Sequence, residues 1–190
     1  MITAVFLASG HAKRFGEDKL LYPVDGVPMA ERAFRTLPPE IEGVVVTRSE
    51  AVAALARGHA NLRAVMNPDQ TDDQAVTIRL GCEAVPETAD GVMFFVCDQP
   101  YLRRESVEKL CRAFENEPDK CFALSYAGAA GNPCVFPRRL LEELKALPPD
   151  MGGKYLLRAR GETVGLCEVF SPEELRDLDV RPQRRGNKNS

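Results

Sequence analysis

The chain of 190 residues contains no tryptophan and only two histidines, His11 and His59. Its six cysteines, Cys82, Cys97, Cys111, Cys121, Cys134 and Cys167, include no C-x-x-C pair. With few histidines and no paired thiols, a structural zinc site is disfavoured. The thiols read instead as reduced, small core hydrophobes. No apolar run is long enough to span a bilayer. The apolar start, Met1 to Ala8, is short, carries no basic leader and runs straight into Ser9-Gly10. It reads as a buried first strand, not a signal peptide, so a cytoplasmic location is expected. A basic excess is missing as well, since the formal net charge is −3. That argues against nucleic acid or an anionic membrane as the main partner.

What is present is alternation. Apolar, β-rich runs occur at Ile2 to Leu7, Val44 to Thr47, Leu62 to Val65, Val92 to Val96, Phe122 to Ser125 and Val164 to Val169. Several are uninterrupted, which suits strands buried on both faces. Helical patterns lie between them, at Pro28 to Thr36, Ser49 to Arg57, Gln74 to Val85, Arg104 to Glu115, Pro137 to Leu147 and Gly153 to Ala159. Ser49 and Ser106 stand near two helix starts and read as caps or solvated hydroxyls. The pattern predicts an α/β fold: three layers, a doubly wound and mostly parallel sheet with helices on both faces. One domain is expected over residues 1–182. The polar, basic end, residues 183–190, is expected to be a disordered tail.

Ligands of such sheets sit beyond the carboxyl ends of the strands. The loop after the first strand reads Leu7-Ala8-Ser9-Gly10-His11-Ala12-Lys13-Arg14-Phe15-Gly16-Glu17-Asp18-Lys19. Small residues let the backbone approach a ligand, and Arg14 and Lys19 add phosphate-matched charge. Taken alone, such a loop could also be an ordinary solvated turn. It matches neither G-x-x-x-x-G-K-[ST] nor G-x-G-x-x-G, so a P-loop kinase or a Rossmann dehydrogenase is disfavoured.

The stretch L-A-S-G-x-x-x-R-F-G-x-x-K-L-L resembles the loop of nucleotidyltransferases related to molybdenum cofactor cytidylyltransferase. That family has the nucleotide-diphospho-sugar-transferase fold. The resemblance implies nucleotide binding by Leu7, Ala8, Ser9, Gly10, Arg14, Gly16 and Lys19, with Lys19 near the scissile α-phosphate. Asn67-Pro68 and the segment Gln74 to Gly81 resemble a further family motif, implying nucleotide contacts by Asn67 and Thr77; a plain helix entry is the alternative. Val96-Cys97-Asp98-Gln99-Pro100-Tyr101-Leu102 resembles the family's D-x-P-x-L loop. There the acid binds catalytic Mg2+, and a strand-end carboxylate suits a hard cation. A turn-initiating Asp98 is the alternative. Asp177-Leu178-Asp179-Val180 resembles D-I-D-T, implying that Asp179 completes the metal site, with Asp177 the weaker candidate. Gly131-Asn132-Pro133 and the segment around Gly152 resemble motifs bordering the acceptor.

The function implied is Mg2+-dependent transfer from a nucleoside triphosphate to a phosphate-bearing acceptor, with Lys19, Arg14 and Asp98 as the catalytic set. Resemblance favours CTP as donor and molybdopterin, or its molybdenum-loaded form, as acceptor. The Lys19-Leu20-Leu21 run favours this branch, because the isoprenoid and sugar-phosphate branches more often place Pro before the Lys. The protein partner the resemblance implies is a molybdenum hydroxylase or its maturation factor. Two alternatives stand beside it: GTP or another triphosphate as donor, acting on molybdopterin or a sugar or alcohol phosphate, and an inactive module that binds and delivers a nucleotide or cofactor.

Overall fold

The computed structural model describes residues 1–10, 19–71, 73–160 and 163–178. Along these run the strands β1 (Ile2–Ala8), β2 (Pro23–Val24), β3 (Val27–Pro28), β4 (Gly43–Thr47), β5 (Leu62–Met66), β6 (Gly91–Val96), β7 (Cys121–Tyr126), β8 (Ala129–Pro137) and β9 (Val164–Glu168). The α-helices are α1 (Met29–Phe34), α2 (Glu50–Arg57), α3 (Gln74–Glu83), α4 (Arg104–Asn116), α5 (Leu141–Lys145) and α6 (Gly153–Arg160).

Seven strands form one sheet in the order β5-β4-β1-β6-β8-β7-β9. Pairing is parallel from β5 through β6 and between β7 and β9, while β8 runs against both its neighbours. Side chains of α1, α2 and α4 join one apolar cluster, and those of α3, α5 and α6 join the other. The sheet is therefore the middle of three layers, as the alternation predicts. Successive residues of a strand serve opposite layers: Phe6 and Phe95 belong to one cluster, Val5 and Phe94 to the other. The Phe6 and Phe95 rings stack with centroids 4.5 Å apart, and Phe34 from α1 meets Phe6 edge-on at 5.2 Å.

Local chemistry sets the helix starts. Ser49 caps α2, its Oγ accepting from Val52 N at 3.4 Å. Asp73 caps α3, its Oδ1 accepting from Ala75 N at 2.8 Å. Ser106 is not a cap, because its buried hydroxyl donates instead to Glu174 Oε2 at 2.6 Å. The helical pattern over Pro137 to Leu147 is also shorter than its apolar spacing predicts. Pro137 ends β8, and a 3-10 turn at Arg138–Leu140 precedes α5.

Two strand features differ from the sequence pattern. Gly131 to Phe136 carries turn residues, yet lies inside β8 between β6 and β7. Pro133 is accommodated because both ladders lapse around it. The β6 ladder begins only at Cys134, and the β7 ladder skips from Ala130 to Cys134, which spares the missing N–H. The small β2–β3 ribbon turns at Asp25 and Gly26, with φ of 50° and 80°, as an Asp-Gly type I′ hairpin requires.

The layers touch closely at Gly81. A Cβ built there would lie 2.3 Å from Val5 Cγ1. Gly81→Ala should therefore lower stability by about 1–3 kcal/mol through overpacking, read as a lower urea midpoint at unchanged slope. An unshifted midpoint would show that α3 stands off β1. The thiols offer a second check. Burial pushes Cys82 and Cys111 from an ordinary value of 9.0 up to about 12. The folded chain then holds protons that the unfolded chain gives up, so this contribution to stability is complete below about pH 9 and lost between about pH 9 and 12. Native protein should resist alkylation at Cys82 and Cys111 at pH 8 and react fully in denaturant, as mapped by mass spectrometry.

Candidate active site

β1 and β6 are direct parallel neighbours, with Leu7 opposite Val96. Their carboxyl ends open on the same side, so the loops after them start together. From the first comes Lys19, which opens a 3-10 turn at Lys19–Leu21; from the second comes Asp98. Lys19 Nζ donates to Asp98 Oδ2 at 2.9 Å, with side chains 15% and 27% exposed. Two residues 79 positions apart, singled out for nucleotide and cation chemistry, thus form one ion pair. It is sheltered enough to feel less solvent screening than an exposed pair, and open enough for a ligand to compete for it.

Leu7 and Ala8 are strand residues whose side chains belong to the core and its margin, which leaves their backbone for the strand end. Ser9 is buried, and its hydroxyl donates to Val46 O at 3.0 Å. Gly10 is exposed, and a Cβ there would meet nothing within 4 Å. Arg14 and Gly16 lie outside the described residues.

Asn67 and Thr77 are both buried and bond each other, Asn67 Nδ2 donating to Thr77 Oγ1 at 3.4 Å. Asn67 Oδ1 also accepts from Asp69 N at 2.9 Å. As placed, the two side chains brace the β5–α3 connection. Arg48, which the sequence pattern does not single out, binds the neighbouring loops together. Its Nε donates to Asp69 O at 2.5 Å, and its Nη1 donates to Ser9 O. The available signal was its position, one residue beyond the carboxyl end of β4.

The four acceptor candidates sort into two places. Gly131, Asn132 and Pro133 lie in β8, where a Cβ on Gly131 would come within 3.0 Å of Leu175. Gly152 directly precedes α6 and packs against the start of α3, where a Cβ would sit 2.8 Å from Gln74 Oε1. Nearby, Asp150 N donates to Asp73 Oδ1 at 2.9 Å.

The segment after β9 returns to the Asp98 loop. Leu178 N donates to Asp98 O at 2.8 Å, and Gln99 Nε2 donates to Asp177 Oδ1 at 3.0 Å. Asp179 lies outside the described residues, although the chain leading to it is held at Asp98. Glu174 is fully buried and serves the start of α4, accepting from Arg103 N at 3.2 Å and from Ser106 Oγ. A carboxylate is favoured at a helix amino end. Among the described residues, no group of three or more His, Cys, Asp or Glu side chains is gathered to hold a metal ion. No helix among them is long and apolar enough to cross a membrane.

Residues 4–164 match the family model described as the MobA-like NTP transferase domain. The chain belongs to this family. It is similar to a probable molybdenum cofactor guanylyltransferase of Aquifex aeolicus, 29% identical over 92% of this chain and 82% of that one. It is also similar to purine catabolism protein PucB of Bacillus subtilis, 27% identical over 94% of this chain and 92% of that one. A solved nucleotidyl transferase from Methanothermobacter thermautotroptrophicus superposes with a TM-score of 0.78 at 23% identity, covering 94% and 92% of the two chains. The fold is that of the nucleotide-diphospho-sugar transferases.

Arg48→Ala strips the carbonyls of Ser9 and Asp69 of a shared charged donor. It should cost about 1–3 kcal/mol and speed amide hydrogen exchange in residues 67–71. Exchange as slow as in the unsubstituted chain would show that Arg48 does not hold these loops.

Proposed function

We propose that this NTP transferase moves a nucleoside monophosphate from a triphosphate onto the phosphate of a molybdopterin-type acceptor, releasing pyrophosphate. The observation that carries the proposal is the Lys19–Asp98 pair at the carboxyl ends of β1 and β6, 2.9 Å apart. One loop then supplies cationic charge for the donor phosphates, and its neighbour supplies carboxylate oxygen.

The donor set suits Mg2+. This ion keeps several waters and substrate phosphates, and usually takes one or two protein carboxylates rather than a complete cage. Asp98 would hold it, with Asp179 as the second acid and Asp177 beside it. When bound, the ion neutralises charge on the α-phosphate and on the departing pyrophosphate.

The chain's own groups do the rest. Gly10 and the backbone after β1 border the polyphosphate, with Arg14 and Gly16 on the β- and γ-phosphates. Lys19 faces the negative charge that grows on the α-phosphate oxygens. In the resting chain Asp98 balances Lys19, so neither charge is left unpaired before the donor arrives. An acceptor phosphate is already ionised near neutral pH, so no general base is needed. His59 fits that picture, since it is paired with Glu31 at 3.0 Å. Positioning and charge neutralisation carry the reaction.

The relatives' names shift the donor base. The motif resemblance favours CTP, but the Aquifex relative is named as a guanylyltransferase, and we take GTP as the first donor to test, with CTP second. A second reading, an inactive delivery module, is favoured by Ala12 and Ala75, which stand where the family motif has hydroxyls.

The decisive assay is pyrophosphate release from GTP, CTP, ATP and UTP, with and without molybdopterin and Mg2+. GTP with molybdopterin should give the fastest release. Lys19→Ala should cost about 10²–10³ in kcat, and Asp98→Ala should abolish Mg2+-dependent turnover while the chain still folds, as read by circular dichroism. Undiminished turnover in Asp98→Ala would sink the cation assignment. No release by the unsubstituted chain with any triphosphate would favour the delivery module.

A further inference from the structure

Gln99 follows Asp98 directly and is 4% exposed. Its Nε2 donates to Leu175 O at 3.1 Å and to Asp177 Oδ1 at 3.0 Å. One residue earlier, Asp98 O accepts from Leu178 N at 2.8 Å. Residues 175–178 are thereby fastened to the Asp98 loop through three bonds. A separate attachment lies at Glu174, which meets Arg103 N and Ser106 Oγ at the start of α4.

The other end of the same amide is unmatched. Gln99 Oε1 is buried, with no hydrogen-bond partner among the described residues. Such an oxygen loses its water and gains nothing in return. A leucine or methionine would fill similar space without that penalty, so packing does not account for the residue. Its two donor hydrogens do. An amide reaches a carbonyl and a carboxylate at once. Being neutral, it leaves the charge of Asp177 intact, whereas a lysine or arginine would cancel it.

We propose that Gln99 is a positioning residue: it holds Asp177 at a fixed place beside the Asp98 loop, so that a divalent cation meets a preset pair of acids, Asp98 and Asp177. The proposal rests on the nucleotidyl-transfer reading above. Groups that orient cation ligands commonly change affinity by about 10–100-fold when removed.

The test uses the full chain with Mn2+ as probe, read by the electron paramagnetic resonance of the free ion in the presence of a non-hydrolysable GTP analogue. Gln99→Leu and Gln99→Met, which both lack the donors, should weaken Mn2+ binding by about 10–100-fold. Affinity for the analogue in EDTA should stay unchanged. Asp177→Asn keeps an oxygen for Gln99 to bond but loses the charge, and should weaken Mn2+ binding by itself. Adding Gln99→Leu to it should cost less than Gln99→Leu alone, because the two act through one contact. Ser106→Ala, which loosens only the Glu174 attachment, should lower the unfolding midpoint and leave Mn2+ affinity alone. Unchanged Mn2+ affinity in whichever Gln99 variant folds, or an equal loss in Ser106→Ala, overturns the proposal while leaving the transferase reading intact. If the unsubstituted chain binds no Mn2+ with the analogue of GTP or with that of CTP, both fall together.

Discussion

Everything at the site depends on β1 being paired in parallel on both edges, with β4 on one side and β6 on the other. A strand in that position is buried on both faces, so it can carry almost no polar side chain. Its chemistry is displaced to the point where it leaves the sheet. Because β4 and β6 point the same way, their polar residues are displaced to the same edge. Ser9, Arg48 and Asp98 are each within two residues of a strand's carboxyl end. Hydrogen bonding within the sheet thus does the long-range work of assembly, and the loops need only short reaches.

On that edge the charges are arranged in pairs. Lys19 meets Asp98, Arg48 meets the carbonyls of Ser9 and Asp69, and Glu174 meets the amino end of α4. Each contact joins segments far apart in sequence and answers a polar group that the packed layers could not otherwise satisfy. Lys19–Asp98 differs from the others in being open to exchange. In the proposed reaction, a ligand carrying both phosphate and a cation would offer each partner a better match than its resting neighbour. The remaining contacts are scaffolding, and they leave little freedom for the loops to drift.

The layered fold was legible because its signal is local. Val92 to Val96 and Ile2 to Leu7 are continuous apolar runs, and only a strand covered on both faces calls for that. β8 was hidden by the opposite circumstance. Its Gly131, Asn132 and Pro133 look like a turn, and only pairing with β6 and β7 on both sides makes them a strand. The Asp25-Gly26 ribbon was missed for want of flanking alternation, each strand having only two residues. At the site, Lys19 and Asp98 stood out through motif context, and the structure brings them into contact. Asn67 and Thr77 stood out as well, yet their side chains face each other. Gln99 and Glu174 carried no signal of their own, and Arg48 none beyond its place just after β4. Each has a partner at least 21 residues away, and such distances are invisible until the chain is folded.

Glu174 has a consequence for the order in which the molecule can be completed. Its carboxylate caps donors 71 residues earlier in the chain, at Arg103. During synthesis, α4 and the Asp98 loop leave the ribosome long before the residue that closes over them. A nascent chain halted at residue 160 already carries Lys19 and Asp98, but its α4 still lacks the clasp. The support for the start of α4 is therefore completed only after residue 174 has been made, so a chain cut short before it would carry the Lys19–Asp98 pair on an α4 whose first donors are unanswered.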